Sequence, residues 1–200
     1  MTPMRKPILA RFFALAAASA MLGGCISFGS EPPESLLTLT SMVSAPAGER
    51  SAETQANALA VLEPDAPARL NVTRVPVQVN DTEIAYLQNA TWVERPARLF
   101  RRVMAETIRA RSGRMVVDGD SSAVAPTMFL RGTLREFGYD ARRSSVVMRY
   151  DAMKSATGGA VQTRRFESVI EGIAPDSAAV GPALNRAAND VAGQVAEWVG

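Results

Sequence analysis

The sequence predicts an α+β domain, a mostly antiparallel sheet with two amphipathic helices packed on one of its faces. Three observations carry that reading. Thr127–Phe137, Ser144–Met153 and Ala160–Ile173 alternate apolar and polar residues, and links this short force neighbouring strands to run antiparallel. Pro96–Ser112 and Val180–Val199 instead repeat their apolar residues at helical spacing. A meander flanked by two such helices buries one sheet face under both of them.

The elements follow in order. "SLLTLTSMV" (Ser35–Val43) mixes apolar and hydroxylated residues and reads as a first strand, and Ser44–Asn57 has loop composition. Ala58–Pro64, Ala68–Val75 and Glu83–Gln88 read as further strands, with Val75-Pro76-Val77 marking an edge or a bend. At Pro96 the period changes to 3.6, because proline is preorganised for a first helical turn and no breaker follows before Gly113. On that helix Leu99, Phe100, Val103, Met104, Thr107 and Ile108 share one side, and Arg98, Arg101, Arg102 and Arg109 the other. The basic stripe has two readings: a solvated face, or a contact with anionic headgroups or an acidic partner.

In the three long strands the inward candidates are Met128, Leu130 and Leu134, then Val146, Met148 and Tyr150, then Phe166, Ser168 and Ile170. Gly138–Arg142 supplies the first link, and Gly158-Gly159, a pair that takes positive φ readily, the second. The opposite face carries Arg131, Arg135, Arg149, Arg165 and Glu167, so it is wet or bound to something. "APDS" (Ala174–Ser177) is a helix start signal, with Gly181-Pro182 expected to delay the regular helix. Trp198 reads as a core anchor.

Ahead of this domain stands an export signal. Arg5, Lys6 and Arg11 precede eleven uncharged residues, Phe12–Leu22, which fall short of the roughly 20 that span a bilayer. Ala18-Ser19-Ala20 fits one cleavage pattern but leaves an apolar core of six residues, Phe12–Ala17, below the usual roughly 7–15. Leu22-Gly23-Gly24-Cys25 resembles the bacterial lipobox and is favoured. The lipobox implies residues 1–24 as signal peptide, diacylglycerol on the Cys25 thiol, and acylation (palmitate) of the new amino terminus. Ile26 in place of Asp after the cysteine implies, by resemblance to enterobacterial sorting, the outer membrane. Residues 25–34, rich in Gly, Pro, Ser and Glu, read as an acylated tether, and 35–200 as the folded domain.

Composition narrows the chemistry. The leader holds three of the 22 Lys and Arg and none of the 20 Asp and Glu, so the remainder has 19 basic and 20 acidic residues, a net charge of −1. No global field argues for nucleic acid. Histidine is absent, which removes Ser-His-Asp and Cys-His catalysis and His-containing zinc sites. Cys25 is the only cysteine and is assigned to the anchor. Asp118 and Asp120 lie together in "VVDGDSS" without a third carboxylate or a phosphate-binding loop, and read as a solvated turn. No catalytic residue, metal site or cofactor is expected beyond the covalent lipid.

From Ala68 to Ile108, Tyr86, then Trp92, then Glu94 and Pro96 leading into a helix give an order that resembles the ABC-type transport auxiliary lipoprotein family. "TRRF" (Thr163–Phe166) and the terminal helix fit it too, and the chain departs from it at Val77–Thr82. The resemblance implies a periplasm-facing lipoprotein. Its implied partners are an Mce-domain lipid-binding protein and an ABC permease and ATPase moving lipids or other hydrophobic molecules across the envelope. It also implies a possible homo-oligomer and a docking role in place of catalysis. Trp92, Arg95, Arg98 and Arg102 are the contact candidates; for Trp92 a hydrophobic plug at the helix start is the competing reading. Two rival functions stay open: a structural or regulatory outer-membrane lipoprotein of envelope or cell-wall assembly, and a His-independent hydrolase using Asp118 and Asp120.

Overall fold

A computed structural model of the chain describes residues 35–48, 58–112, 114–117 and 125–200. The leader, Cys25, the tether, part of the loop before Ala58, and Asp118 and Asp120 lie outside the described residues.

The described chain forms β1 (Leu59–Val61), β2 (Arg74–Gln78), β3 (Ile84–Thr91), α1 (Pro96–Ser112), β4 (Val116–Val117), β5 (Met128–Asp140), β6 (Ser145–Ala156), β7 (Val161–Ile170) and α2 (Ser177–Val199). Antiparallel β5, β6 and β7 make the expected meander. The other edge of β5 is shared by two short parallel strands: Leu59–Val61 of β1 pairs with Met128–Leu130, and Val77-Gln78 of β2 with Tyr139-Asp140. Between them Asp65 bridges Thr133, so β1 and β2 act as one interrupted strand along β5. Strand β4 adds parallel to β1, and β3 antiparallel to β2. The parallel pairs are possible because the connection from β1 to β5 contains α1, a crossover long enough to bring the chain back in the same direction.

Helix α1 has the bounds its pattern predicts, and all six residues assigned to its apolar side are buried. Phe100 meets Tyr150 edge-on at 5.3 Å between ring centroids. Burying a side chain of that size contributes roughly 1.5–3 kcal/mol. The inward residues of the meander also hold: Leu130, Leu134, Val146, Met148, Tyr150 and Phe166 are buried, and Met128 and Ile170 pack at the margin. Tyr150 folds over Gly132 and donates its hydroxyl to the Arg131 carbonyl at 3.0 Å; burial pushes that phenol far above its ordinary pKa.

Helix α2 presents Ala183, Ala187, Ala188, Ala192 and Ala196 to the core, and small side chains let it lie close to both α1 and the sheet. Asp176 caps it, accepting from the Ala179 N–H at 2.8 Å. Its last turn is closed by cations, as the helix dipole favours: Lys154 Nζ donates to the Trp198 carbonyl at 2.6 Å and Arg114 to that of Gly200 at 2.7 Å. Trp198 packs edge-on to Phe166, a partly buried anchor as expected.

Four expectations are corrected. Ser35–Val43 is not a sheet strand; within it only Leu37 makes a bridge, to Trp92. Ala68–Val75 is not one strand either: Ala68–Leu70 is a 3-10 turn following Pro67, which buries Leu70, and β2 starts only at Arg74. The first link of the meander begins later than Gly138, because a bulge between Leu134 and Glu136 shifts the alternation by one residue and lets β5 run on to Asp140. Helix α2 begins at Ser177 and continues through Pro182 in its second turn, at the expense of the N–H that would bond the carbonyl of the exposed Ala178. Pro76 likewise sits at a register shift of a strand paired on both sides, so it marks the bend and not the edge.

Candidate functional site

The segment from Leu37 to Ala45 is an extended strap laid along the two helices. Leu37, Leu39, Ser41, Val43 and Ala45 are half-buried, while Leu36, Thr38, Thr40, Met42 and Ser44 are exposed, the period of two expected of extended backbone. Its hydrogen-bond partners are mostly side chains of α1 and α2. Asn185 Oδ1 accepts from the Thr40 N–H at 2.8 Å, and Asn189 Oδ1 from the Met42 N–H at 2.7 Å. Asn189 Nδ2 donates to the carbonyls of Thr40 at 2.9 Å and of its own helix at Asn185, 2.8 Å. Lower down, Glu106 Oε1 accepts from Ala45 N–H at 2.9 Å, and the hydroxyls of Ser41 and Thr107 lie 3.3 Å apart.

This arrangement has a geometric cause. Two residues of extended chain advance about 6.8 Å, and two side chains four apart on a helix are about 6 Å apart along its axis. Asn185 and Asn189 can therefore serve Thr40 and Met42 as one edge of a ladder would. At its upper end the strap joins the backbone around Trp92: Leu37 N–H donates to Thr91 O at 2.8 Å and Val93 N–H to Leu37 O at 2.9 Å. Leu37 also packs over Gly181, where a side chain would press on its methyl group.

Beside that junction stand the four contact candidates. Trp92 is 2% exposed and stacked on Phe137, with ring centroids 5.5 Å apart, so its indole is a core plug and presents no surface. Its Nε1–H is buried without a hydrogen-bond partner. Arg95, Arg98 and Arg102 are each about half exposed. Glu94 serves two of them, at 3.0 Å from Arg98 and 2.7 Å from Arg102, while Arg95 bonds Asn71 Oδ1 at 2.9 Å and stands 3.7 Å from Glu63. The fold thus gathers the three arginines on one surface and removes the tryptophan from it.

The uncovered sheet face is charged, as expected, and its central residues are paired. Asp151 sits between Arg165 at 2.5 Å and Arg135 at 2.8 Å, and Arg149 bridges Glu136 at 2.6 Å and Glu167 at 2.5 Å. The Arg165 hydrogen bond, helped by Arg135, holds the Asp151 carboxyl far below the usual carboxylate range. At the β5–β6 turn, burial raises the pKa of Asp140, but the hydrogen bonds and charge of Arg142 outweigh it and leave the carboxyl lowered. Arg142 also binds Asp81 at the tip of the β2–β3 hairpin. Such self-satisfied ion pairs stiffen the sheet and leave little charge to offer a ligand.

Asn185 and Asn189 escaped the sequence reading. Their signal was there: two asparagines four apart in an alanine-rich helix are poor helix formers placed where something must use their amides.

The family model for the ABC-type transport auxiliary lipoprotein component matches residues 38–196. None of the curated proteins matches the chain. Among solved structures, the crystal structure of an uncharacterized protein superposes with a TM-score of 0.65 at 13% identity, covering 83% of this chain and 100% of that one. Protein XCC0632 from Xanthomonas campestris, a DUF330 protein, superposes with a TM-score of 0.64 at 18% identity, covering 82% of this chain and 94% of that one. At these identities the two structures establish the fold.

Proposed function

The chain belongs to the ABC-type transport auxiliary lipoprotein family, and from that premise we propose that it positions a transport complex at the membrane that holds its lipid anchor. In this reading Cys25 carries the lipid, the domain stands on the periplasmic side of the outer membrane, and the complex it serves is an Mce-type system moving lipids or other hydrophobic molecules. The permease and ATPase supply transport and energy, and this subunit supplies attachment and alignment.

The observation that supports the reading best is the docked strap. A tether conveys position only if its junction with the folded domain is held; a free junction lets the domain turn at random. Here the residues that follow the tether are bonded to Thr91, Val93, Asn185 and Asn189, so a pull on the anchor is delivered to the end of β3 and to α2. The exposed arginines at the start of α1 add a cationic surface for anionic headgroups or an acidic partner.

The test is extraction of the native protein in mild detergent followed by affinity purification. Mce-domain and permease subunits should copurify, and mass spectrometry should find Cys25 acylated. Consistent absence of both subunits, with cell-wall or other envelope proteins recovered instead, would replace this reading with an envelope-assembly role.

A further inference from the structure

We propose that the corner where the strap joins the domain, formed by Leu36, Val93, Arg95, Arg98 and Arg102, rests directly on an anionic lipid surface, the same membrane that holds the anchor. The inference rests on the reading of Cys25 as the lipid-bearing residue. It adds a second, noncovalent membrane contact and a fixed orientation of the domain.

Four observations converge on that corner. Leu36 and Val93 are each 49% exposed and lie on the outward side of the Leu37–Trp92 bridge. Arg95, Arg98 and Arg102 extend from the adjoining helix start, and Glu94 is a single carboxylate shared by two of them. With Arg95 3.7 Å from Glu63, three cations face two carboxylates. Ser35 is ten chain steps from Cys25, and ten steps reach at most about 35 Å even when fully extended. Because the strap is bonded in place from Leu37 onward, that limit applies to this corner and not to the domain at large.

The chemistry suits a bilayer interface. Two apolar side chains can enter between headgroups while guanidinium groups on long stems reach the phosphates around them. A patch this small would not hold a free protein on a membrane. Tethering changes the requirement, because an anchored chain meets the surface at a high effective concentration and weak contacts then decide orientation.

The experiment uses the full lipoprotein reconstituted into vesicles of phosphatidylcholine, alone or mixed with phosphatidylglycerol. An environment-sensitive fluorophore is placed on Val93→Cys, on Leu36→Cys in a second variant, and on Val161→Cys at the far hairpin as reference; Cys25 is blocked by its lipid. Vesicle flotation reports the anchor independently. On anionic vesicles the labels at 93 and 36 should shift to the blue and be quenched by spin-labelled lipid, the label at 161 should do neither, and Arg98→Glu with Arg102→Glu should abolish the shift while flotation persists. Flotation with labels at 93 and 36 as solvent-exposed as at 161 would overturn the inference alone. An equal shift on pure phosphatidylcholine would overturn the assignment to anionic lipid. Failure of the wild-type protein to float would overturn the anchor reading and this inference with it.

Discussion

Replacing Asn189 by alanine tests whether the strap is held by side-chain amides. Asn189 is 8% exposed and makes two bonds to the strap, accepting from Met42 N–H at 2.7 Å and donating to Thr40 O at 2.9 Å. Each is worth about 0.5–1.5 kcal/mol net, so the docked strap should lose about 2 kcal/mol, a change of roughly 30-fold in its docked-to-released ratio. Alanine also favours the helix by about 0.5 kcal/mol, but it does so whether the strap is docked or not, so this gain leaves the strap equilibrium untouched. Native-state hydrogen exchange separates the two effects. The informative amide is that of Leu37, because its partner Thr91 is unchanged by the substitution. Its exchange should quicken by roughly 30-fold while amides of the β5–β6 ladder, such as Tyr150, keep their protection. Unchanged protection at Leu37 would mean that Leu37 and Leu39 hold the strap by packing alone. An equal loss through the sheet would mean that the strap is part of the global fold and not a separable element. Either result refutes the reasoning.

Three further outcomes follow from the geometry. Ser144 sits at φ +48 in the β5–β6 turn, so Ser144→Gly should stabilise the domain by about 0.5–1 kcal/mol in urea denaturation. Gly132→Ala would drive a Cβ into the Asp151 backbone and the Tyr150 ring, and should cost about 1–3 kcal/mol in the same assay. The Asp151 carboxyl has its pKa depressed in the folded state, so the unfolded chain takes up the proton first. Its contribution is therefore complete above the ordinary carboxylate value of about 3.9 and is lost as pH falls from there toward the folded value. Asp151→Asn should flatten that acid limb in denaturation midpoints measured at pH values on either side of 4.

What the order of residues determined by itself was everything that depends on near neighbours. The 3.6 period of Pro96–Ser112, the alternation of Val146, Met148 and Tyr150, and the Gly158 turn all appear where the pattern places them, because facing the core is a local property once the element is formed. The family order of Tyr86, Trp92, Glu94 and Pro96 was legible for the same reason. Only the tertiary structure decided the rest. The strap alternates like a strand, yet its partners are amides 145 and 147 residues further along, so no window of sequence distinguishes it from a sheet edge. Trp92 became interior because Phe137, on another strand, stacks on it, and β5 outran its alternation because a bulge against β6 moved the register by one residue. Period and capping are set within a few residues of chain, whereas pairing partners are chosen by the surface that the finished helices and sheet present.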